Sequence, residues 1–190
     1  QKEFATNINF LTKDSELIRL VEDRDGDGRA ETSSIFADGF NQTLSGVAAG
    51  ILARHGDVWF TCIPDLWKFT KDDSQTSEPD SNARKSKIVN RKLLATGFGV
   101  HIGVSGHDLH GLAMGPDGKI YFSSGDRGFA VHTEEGKFLN NPDSGAVLRC
   151  NPDGSDLEIF ATGLRNPQEL AFDQYGNLFT DDNDTAGEDK

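Results

Sequence analysis

Three stretches of this chain repeat one another, and the repetition limits the fold more than any other feature. "LSGVAAGILARHGDVWFT" (44–61), "LHGLAMGPDGKIYFSS" (109–124) and "PQELAFDQYGNLFTDD" (167–182) each read as a small apolar strand, a glycine-containing turn and a second strand rich in aromatic residues. Short apolar runs punctuated by Gly, Pro, Asp and Asn predict strands, and little helical periodicity competes with them. The first two stretches are each followed by a further strand pair. "DLWKFTKD" leads through the polar insertion 71–90 to "RKLLATGFG", and "GAVLRCNPDGSDLEIFATGL" is a hairpin around an Asn-Pro-Asp-Gly turn. The same hairpin stands ahead of them once more as "ELIRLVEDRDGDGRAETSSIFADGF". Ala48, Ala113 and Ala171 recur at spacings of 65 and 58 residues, and the closing glycines Gly39, Gly97 and Gly163 at 58 and 66.

A four-stranded unit repeated every 60 or so residues is the β-propeller blade. The expected fold is all-β, a β-propeller with four-stranded blades whose strands are labelled A to D. A C-D hairpin falls at about 15–40, blades at 44–99 and 109–164, and an A-B pair at 167–182, one partial-ring domain over 1–190. A β-sandwich is the competing architecture, disfavoured because sandwiches seldom repeat one turn grammar. Since a closed ring takes at least four blades, the expectation is a fragment of a longer polypeptide with exposed edge strands.

Charge narrows the partners. With 31 acidic and 19 basic residues the formal net charge is −12, which repels phosphate and excludes nucleic acid as a partner, while cations and polar neutral ligands suit it. No apolar run approaches the roughly 20 residues of a membrane span. Nor does any segment have the pattern of a signal peptide, as in a mature or truncated product. Cys62 and Cys150 sit in apolar runs without metal or redox spacing and read as buried thiols, a disulfide being the alternative.

Strand parity then sorts the loops. Antiparallel strands reverse at every step, so D-to-A and B-to-C connections emerge on one face and A-to-B and C-to-D connections on the other. The first face receives 39–46, "GFGVHIGVSGHDLHG" (97–111), "GLRNPQE" (163–169), "CIPD" (62–65), 125–145 and the terminal "DDNDTAGEDK". Most of the unusual polar residues gather there. The opposite face takes the tight turns and the solvated insertion 71–90.

On that opposite face "DRDGDGRAE" (23–31) places Asp23, Asp25 and Asp27 at alternate positions before Gly28, the first half of a calcium loop of EF-hand type. The twelfth position is Ser34 rather than Glu, and no helices flank it. A structural calcium clamp therefore stands beside a plain Asx/Gly turn as the reading. For His101, His107 and His110 three readings compete: a metal site with Asp108, structural histidines bonded to backbone carbonyls, or a general base near the propeller axis. Arg165 and Asn166, stiffened by the following proline, favour the last, because a guanidinium fork and an amide in the funnel suit an anionic, oxygen-rich ligand. Arg165 as an ion pair between blades is the bland alternative.

"HDLHGLAMGPDGKIYFSSGDRG" and "GLRNPQELAFDQYGNLF" resemble the soluble pyrroloquinoline quinone (PQQ)-dependent sugar dehydrogenases, the glucose/sorbosone dehydrogenase family of six-bladed propellers. They look closer still to the propeller modules of large planctomycete and verrucomicrobial proteins described as membrane-bound dehydrogenases. The resemblance runs from about residue 17 onward and is most specific at "RNPQ". It implies oxidation of a sugar by hydride transfer to PQQ, with Ca2+ polarising the cofactor. His107 matches the histidine base, with His110 as the fallback. Arg165 and Asn166 match the pair that contacts the quinone, with Gln168 and Arg127 as further cofactor contacts. Asp181, Asp182 and Asn183 stand where the family begins its cofactor-calcium loop. The chain departs from the family at Gly111, where Arg is usual, and lacks the Gly-Pro of the calcium loop. The resemblance further implies a periplasmic or secreted bacterial protein and a c-type cytochrome as electron acceptor, although no CxxCH is present. A noncatalytic propeller that binds carbohydrate or protein on the same face is the rival reading.

Overall fold

A computed structural model describes residues 12–71, 88–99 and 106–183. His101, most of the insertion 71–90 and the chain after Asn183 lie outside the described residues. Every named element is a strand, and every strand pair is antiparallel. Strand β1 (Glu16–Glu22) pairs with β2 (Thr32–Phe40). A four-stranded meander follows, from β3 (Ala48–Arg54) through β4 (Asp57–Cys62) and β5 (Asp65–Lys71) to β6 (Ile88–Thr96). Next come β7 (Leu109–Met114) and β8 (Ile120–Ser124), then a separate hairpin of β9 (Phe129–His132) and β10 (Phe138–Asn141). Strands β11 (Gly145–Cys150) and β12 (Glu158–Leu164) complete a second four-stranded sheet in the order β7-β8-β11-β12. The last pair is β13 (Pro167–Phe172) with β14 (Leu178–Asp182). The stretch 125–145, expected to be a plain connection, thus carries the β9–β10 hairpin.

The arrangement is β-propeller-like: β3 packs on β7, and β7 packs on β13, so the first strands of successive sheets lie side by side. Glycine makes this approach possible. A Cβ on Gly50 would lie 2.9 Å from the His110 carbonyl oxygen, and one on Gly111 would lie 2.5 Å from that of Gln168. Between neighbouring sheets the packing is largely apolar, with Trp59 Nε1 donating to the Pro152 carbonyl at 3.0 Å. Trp59, Leu94, Phe98, Leu109, Phe122 and Leu148 fill the space between the two four-stranded sheets, with Phe98 edge-on to Phe122 at 5.4 Å. Phe40, Phe60 and Phe69 join the β1–β2 pair to the first sheet, and Tyr121, Val147 and Leu170 join the second sheet to β13–β14.

All three inner hairpins break register at one place. Ala48 faces Cys62 and then Ile51 faces Phe60; Leu109 faces Ser124 and then Leu112 faces Phe122; Pro167 faces Asp182 and then Leu170 faces Thr180. This shared bulge corrects the alanine alignment. Ala113 and Ala171 are equivalent, each facing an aromatic residue of the next strand, whereas the first hairpin has Leu52 there and Ala48 belongs with Leu109 and Pro167. The turns explain the slip, since Arg54 pairs with Asp57 across His55-Gly56 while the other two hairpins need longer turns.

The closing glycines Gly39, Gly97 and Gly163 all adopt left-handed backbone, with φ of 82°, 112° and 89°. Gly97 is the tightest, because a Cβ there would press into the Ala130 carbonyl. Cys62 and Cys150 are both free and buried, in different sheets, and burial pushes each thiol up to about 12. Two outcomes follow. Gly97→Ala adds left-handed strain and a clash, so urea unfolding should show a loss of about 2 to 4 kcal/mol; an unchanged midpoint would contradict the packing. In native protein at pH 8 neither cysteine should take up iodoacetamide, and mass spectrometry should find both alkylated once denaturant is added.

Candidate functional site

Four chain segments meet at one end of the sheets: the residues before β7, those after β8, those before β13 and those after β14. Parity put them on one face, and side-chain contacts join them. His107, two residues ahead of β7, donates from Nδ1 to Oδ1 of Asp126 at 2.9 Å. With Nδ1 as donor, the lone pair of the neutral ring sits on Nε2, which has no partner among the described residues. The other Asp126 oxygen, Oδ2, lies 4.0 Å from Nε of Arg165. All three side chains are 22–27% exposed, so the group is reachable from solvent yet held by its surroundings.

Backbone geometry fixes the group. The Gly125 amide donates to the Asp108 carbonyl at 2.7 Å. A Cβ on Gly125 would lie 2.6 Å from the His107 carbonyl oxygen and 2.7 Å from Oδ1 of Asn166, so only glycine lets those segments close on each other. Asp182 accepts the amides of Arg165, at 3.0 and 3.1 Å, and of Asn166, at 2.6 Å. The Arg165 guanidinium in turn donates from Nη1 to the carbonyl and to Oδ1 of Asn183.

The expected residues divide. His107 and Arg165 come together around Asp126. Asn166 follows Arg165 but does not point into an open funnel: it is 1% exposed, buried beside Gly125, and both its amide atoms lack a partner among the described residues. It lies one residue ahead of the inner strand, where Asp108 is likewise buried, its carboxylate without a partner among the described residues. Arg127 is half-buried beside Asp126, and Gln168 is half-buried in β13 with its carbonyl against Gly111. His110 donates from Nε2 to the Gly106 carbonyl at 2.6 Å, the arrangement of a structural histidine. Asp181 and Asp182, expected beside a calcium ion, accept backbone amides, Asp181 taking that of Glu169 at 2.9 Å. Asn183 is committed to Arg165. Among the described residues His107, His110 and Asp108 form no metal-ligand group.

One such group does form at the far end of the β1–β2 hairpin. Oxygens of Asp23, Asp25, Asp27 and Glu31 all lie within 4.8 Å of one another, and the four side chains are exposed. Asp23 accepts the amides of Gly26 and Gly28 at 2.7 and 2.8 Å, and these bonds hold its carboxyl below the usual aspartate range. Two residues escaped the sequence reading. Glu31 was hidden because an EF-hand template looks for the last carboxylate at position 34. Asp126 lay in a quoted loop, and a carboxylate directly after the strand that pairs with the histidine's own strand was the available signal.

Since Asp23 is depressed in the folded state, its bonds are present above the usual aspartate range and lost as pH falls through its lowered value. An NMR titration should therefore leave the Gly26 and Gly28 amide signals constant near neutrality and move them only in acid, below the transition of an ordinary aspartate. Movement near neutrality would contradict the loop geometry.

Part of the chain is similar to quinoprotein glucose dehydrogenase B of Acinetobacter calcoaceticus, 34% identical over 110 residues, a match covering 44% of this chain and 23% of that protein. The chain thus spans less than a quarter of that relative's length. The similarity is that of a quinoprotein dehydrogenase-like module. The family model described as a domain of unknown function, DUF7133, matches residues 4–189, and the chain belongs to that family.

Proposed function

We propose that the sheets are four-stranded blades of a six-bladed propeller, divided as the repeat suggests at 44–99 and 109–164 with half-blades on either side. In this reading the rim bearing His107 is part of the active site of a PQQ-dependent aldose dehydrogenase. The observation that carries it is the 2.9 Å His107–Asp126 bond beside Arg165, on a chain similar to a quinoprotein dehydrogenase. A carboxylate on Nδ1 holds the ring with Nε2 free to take a proton, the arrangement a general base needs. It also stabilises the imidazolium that results.

The donor set suits the cofactor. PQQ carries carboxylates and quinone oxygens, and Arg165 offers a charged fork whose outer face is partly exposed. Arg165 would hold the cofactor, with Asn166 supporting it from beneath and Arg127 and Gln168 beside it. When bound, PQQ supplies a quinone that accepts the hydride leaving C1 of the sugar. Nε2 of His107 takes the C1 hydroxyl proton as that hydride departs, and Asp126 balances the charge gained by the ring. A divalent cation, taken as Ca2+, fits the hard oxygens of Asp23, Asp25, Asp27 and Glu31, away from the rim. The same reading places the protein in the periplasm or outside the cell and gives the reduced cofactor's electrons to a c-type cytochrome.

The test is to supply the full-length protein with PQQ and Ca2+ and to follow dye reduction with a panel of aldoses. Turnover should appear, fall about 10²- to 10⁴-fold in His107→Ala, and stay within about twofold in His110→Ala. Absence of both cofactor binding and turnover would favour a noncatalytic binding module, and activity surviving His107→Ala would remove that residue from the mechanism.

A further inference from the structure

We propose that Asp182 and Asn183 are positioning residues that shape and aim the Arg165 segment, and that they are not metal ligands. The inference rests on the reading of Arg165 as a contact for an anionic cofactor, and it differs from the calcium role that the family resemblance implies for 181–183.

The internal repeat supplies the control. Cys62, Ser124 and Asp182 occupy one register position, opposite the first residue of the inner strand in each of the three hairpins. In the first hairpin Cys62 Sγ points to the Gly46 carbonyl, and in the second the Ser124 hydroxyl has no partner among the described residues. Only the third hairpin puts a carboxylate there, and only there do two successive amides, those of Arg165 and Asn166, turn toward that side chain. Both Asp182 oxygens are used. Asn183 then adds two acceptors, its carbonyl and Oδ1, to one guanidinium nitrogen.

Asp181 fits the same account one position earlier. Its Oδ1 takes the Glu169 amide at the bulge, as Thr61 Oγ1 takes the Gly50 amide in the first hairpin at 2.6 Å. That position is therefore structural in two of the repeats. A cation held by Asp182 and Asn183 would compete for the oxygens that accept the Arg165 and Asn166 amides and would sit against the Arg165 guanidinium, which already takes both Asn183 acceptors. The arrangement instead pins one side of the guanidinium to Asn183 and leaves the Nε side toward Asp126. A fork pinned in this way loses less rotamer freedom when an oxyanion binds it.

The experiment uses the full-length protein. PQQ dissociation constants are measured for wild type, Asn183→Ala, Arg165→Gln and the double variant, across free Ca2+ concentrations. Asn183→Ala should weaken PQQ roughly tenfold and have no further effect in the Arg165→Gln background, because it acts through that side chain. Its half-saturating Ca2+ should match wild type. Additive effects in the double variant, or a raised Ca2+ requirement in Asn183→Ala, would overturn the proposal.

Hydrogen-exchange mass spectrometry without cofactor gives an independent reading. Asp182→Ser, which installs the residue type of the second hairpin, should speed exchange of the Arg165 and Asn166 amides, and Ca2+ should not protect residues 181–183. Unchanged exchange, or saturable protection there by Ca2+, would overturn it. If wild type fails to bind PQQ, the proposed function falls while the exchange measurement still decides this inference. Asn183→Ala alters no bond between β13 and β14, so it stays informative should Asp182→Ser unfold that hairpin.

Discussion

The architecture depends on how closely the inner strands β3, β7 and β13 approach one another. At Gly50 and Gly111 neighbouring backbone occupies the volume a side chain would need. Each of these glycines lies within the shared bulge, where two residues of the inner strand slip past its partner. A bulge sharpens twist and frees an amide from the ladder. In the first hairpin that amide is taken by Thr61 and in the third by Asp181, so the register break and its side-chain acceptor work as a unit. The sheets then bury their aromatic faces against each other, and the core lies between sheets rather than within one hairpin.

The same geometry makes the rim. Ahead of β7 and β13 the residue two positions before the strand stands at the edge of the molecule and the next one is buried, whereas ahead of β3 the corresponding Val47 is exposed. His107 and Arg165 hold the former position, Asp108 and Asn166 the latter. One carboxylate, Asp126, serves both rim residues, hydrogen-bonded to His107 and facing Arg165 across 4.0 Å. Of the carboxylates brought together here, Asp181 and Asp182 accept backbone amides, while Asp126 faces His107 and Arg165. Arg165 stays partly exposed at the rim of a protein whose net charge is strongly negative.

Polar atoms beneath the rim are less completely paired. Asp108, Ser123, Ser124 and Asn166 are all buried, and each has side-chain atoms without a partner among the described residues. Buried polar groups are normally satisfied, and their shortage of partners concentrates around the His107 and Arg165 segments rather than in the apolar space between the sheets. Elsewhere charge is handled at the surface, as where Arg149 bonds Glu158 and Tyr121 on the second sheet.

Local sequence determined a good deal by itself. Alternating aromatic and small residues between glycine turns gave the strands, because strand periodicity and turn chemistry act over a few residues. Parity followed from strand number alone and brought His107 and Arg165 to one end. The burial of Cys62 and Cys150 was readable from the apolar runs around them. What the tertiary structure decided were matters of distance between segments far apart in the chain. Asp126 became the partner of His107 only when β8 lay beside β7, and Asn166 was buried only when the third hairpin packed on Gly125. Glu31 joined the aspartates through the path of a turn, which no ligand template encodes. Asp182 and Asn183 carry oxygens that suit a metal in sequence, and it was folding that brought amides and a guanidinium to them. A sequence specifies which atoms can donate or accept; the fold decides which of them meet.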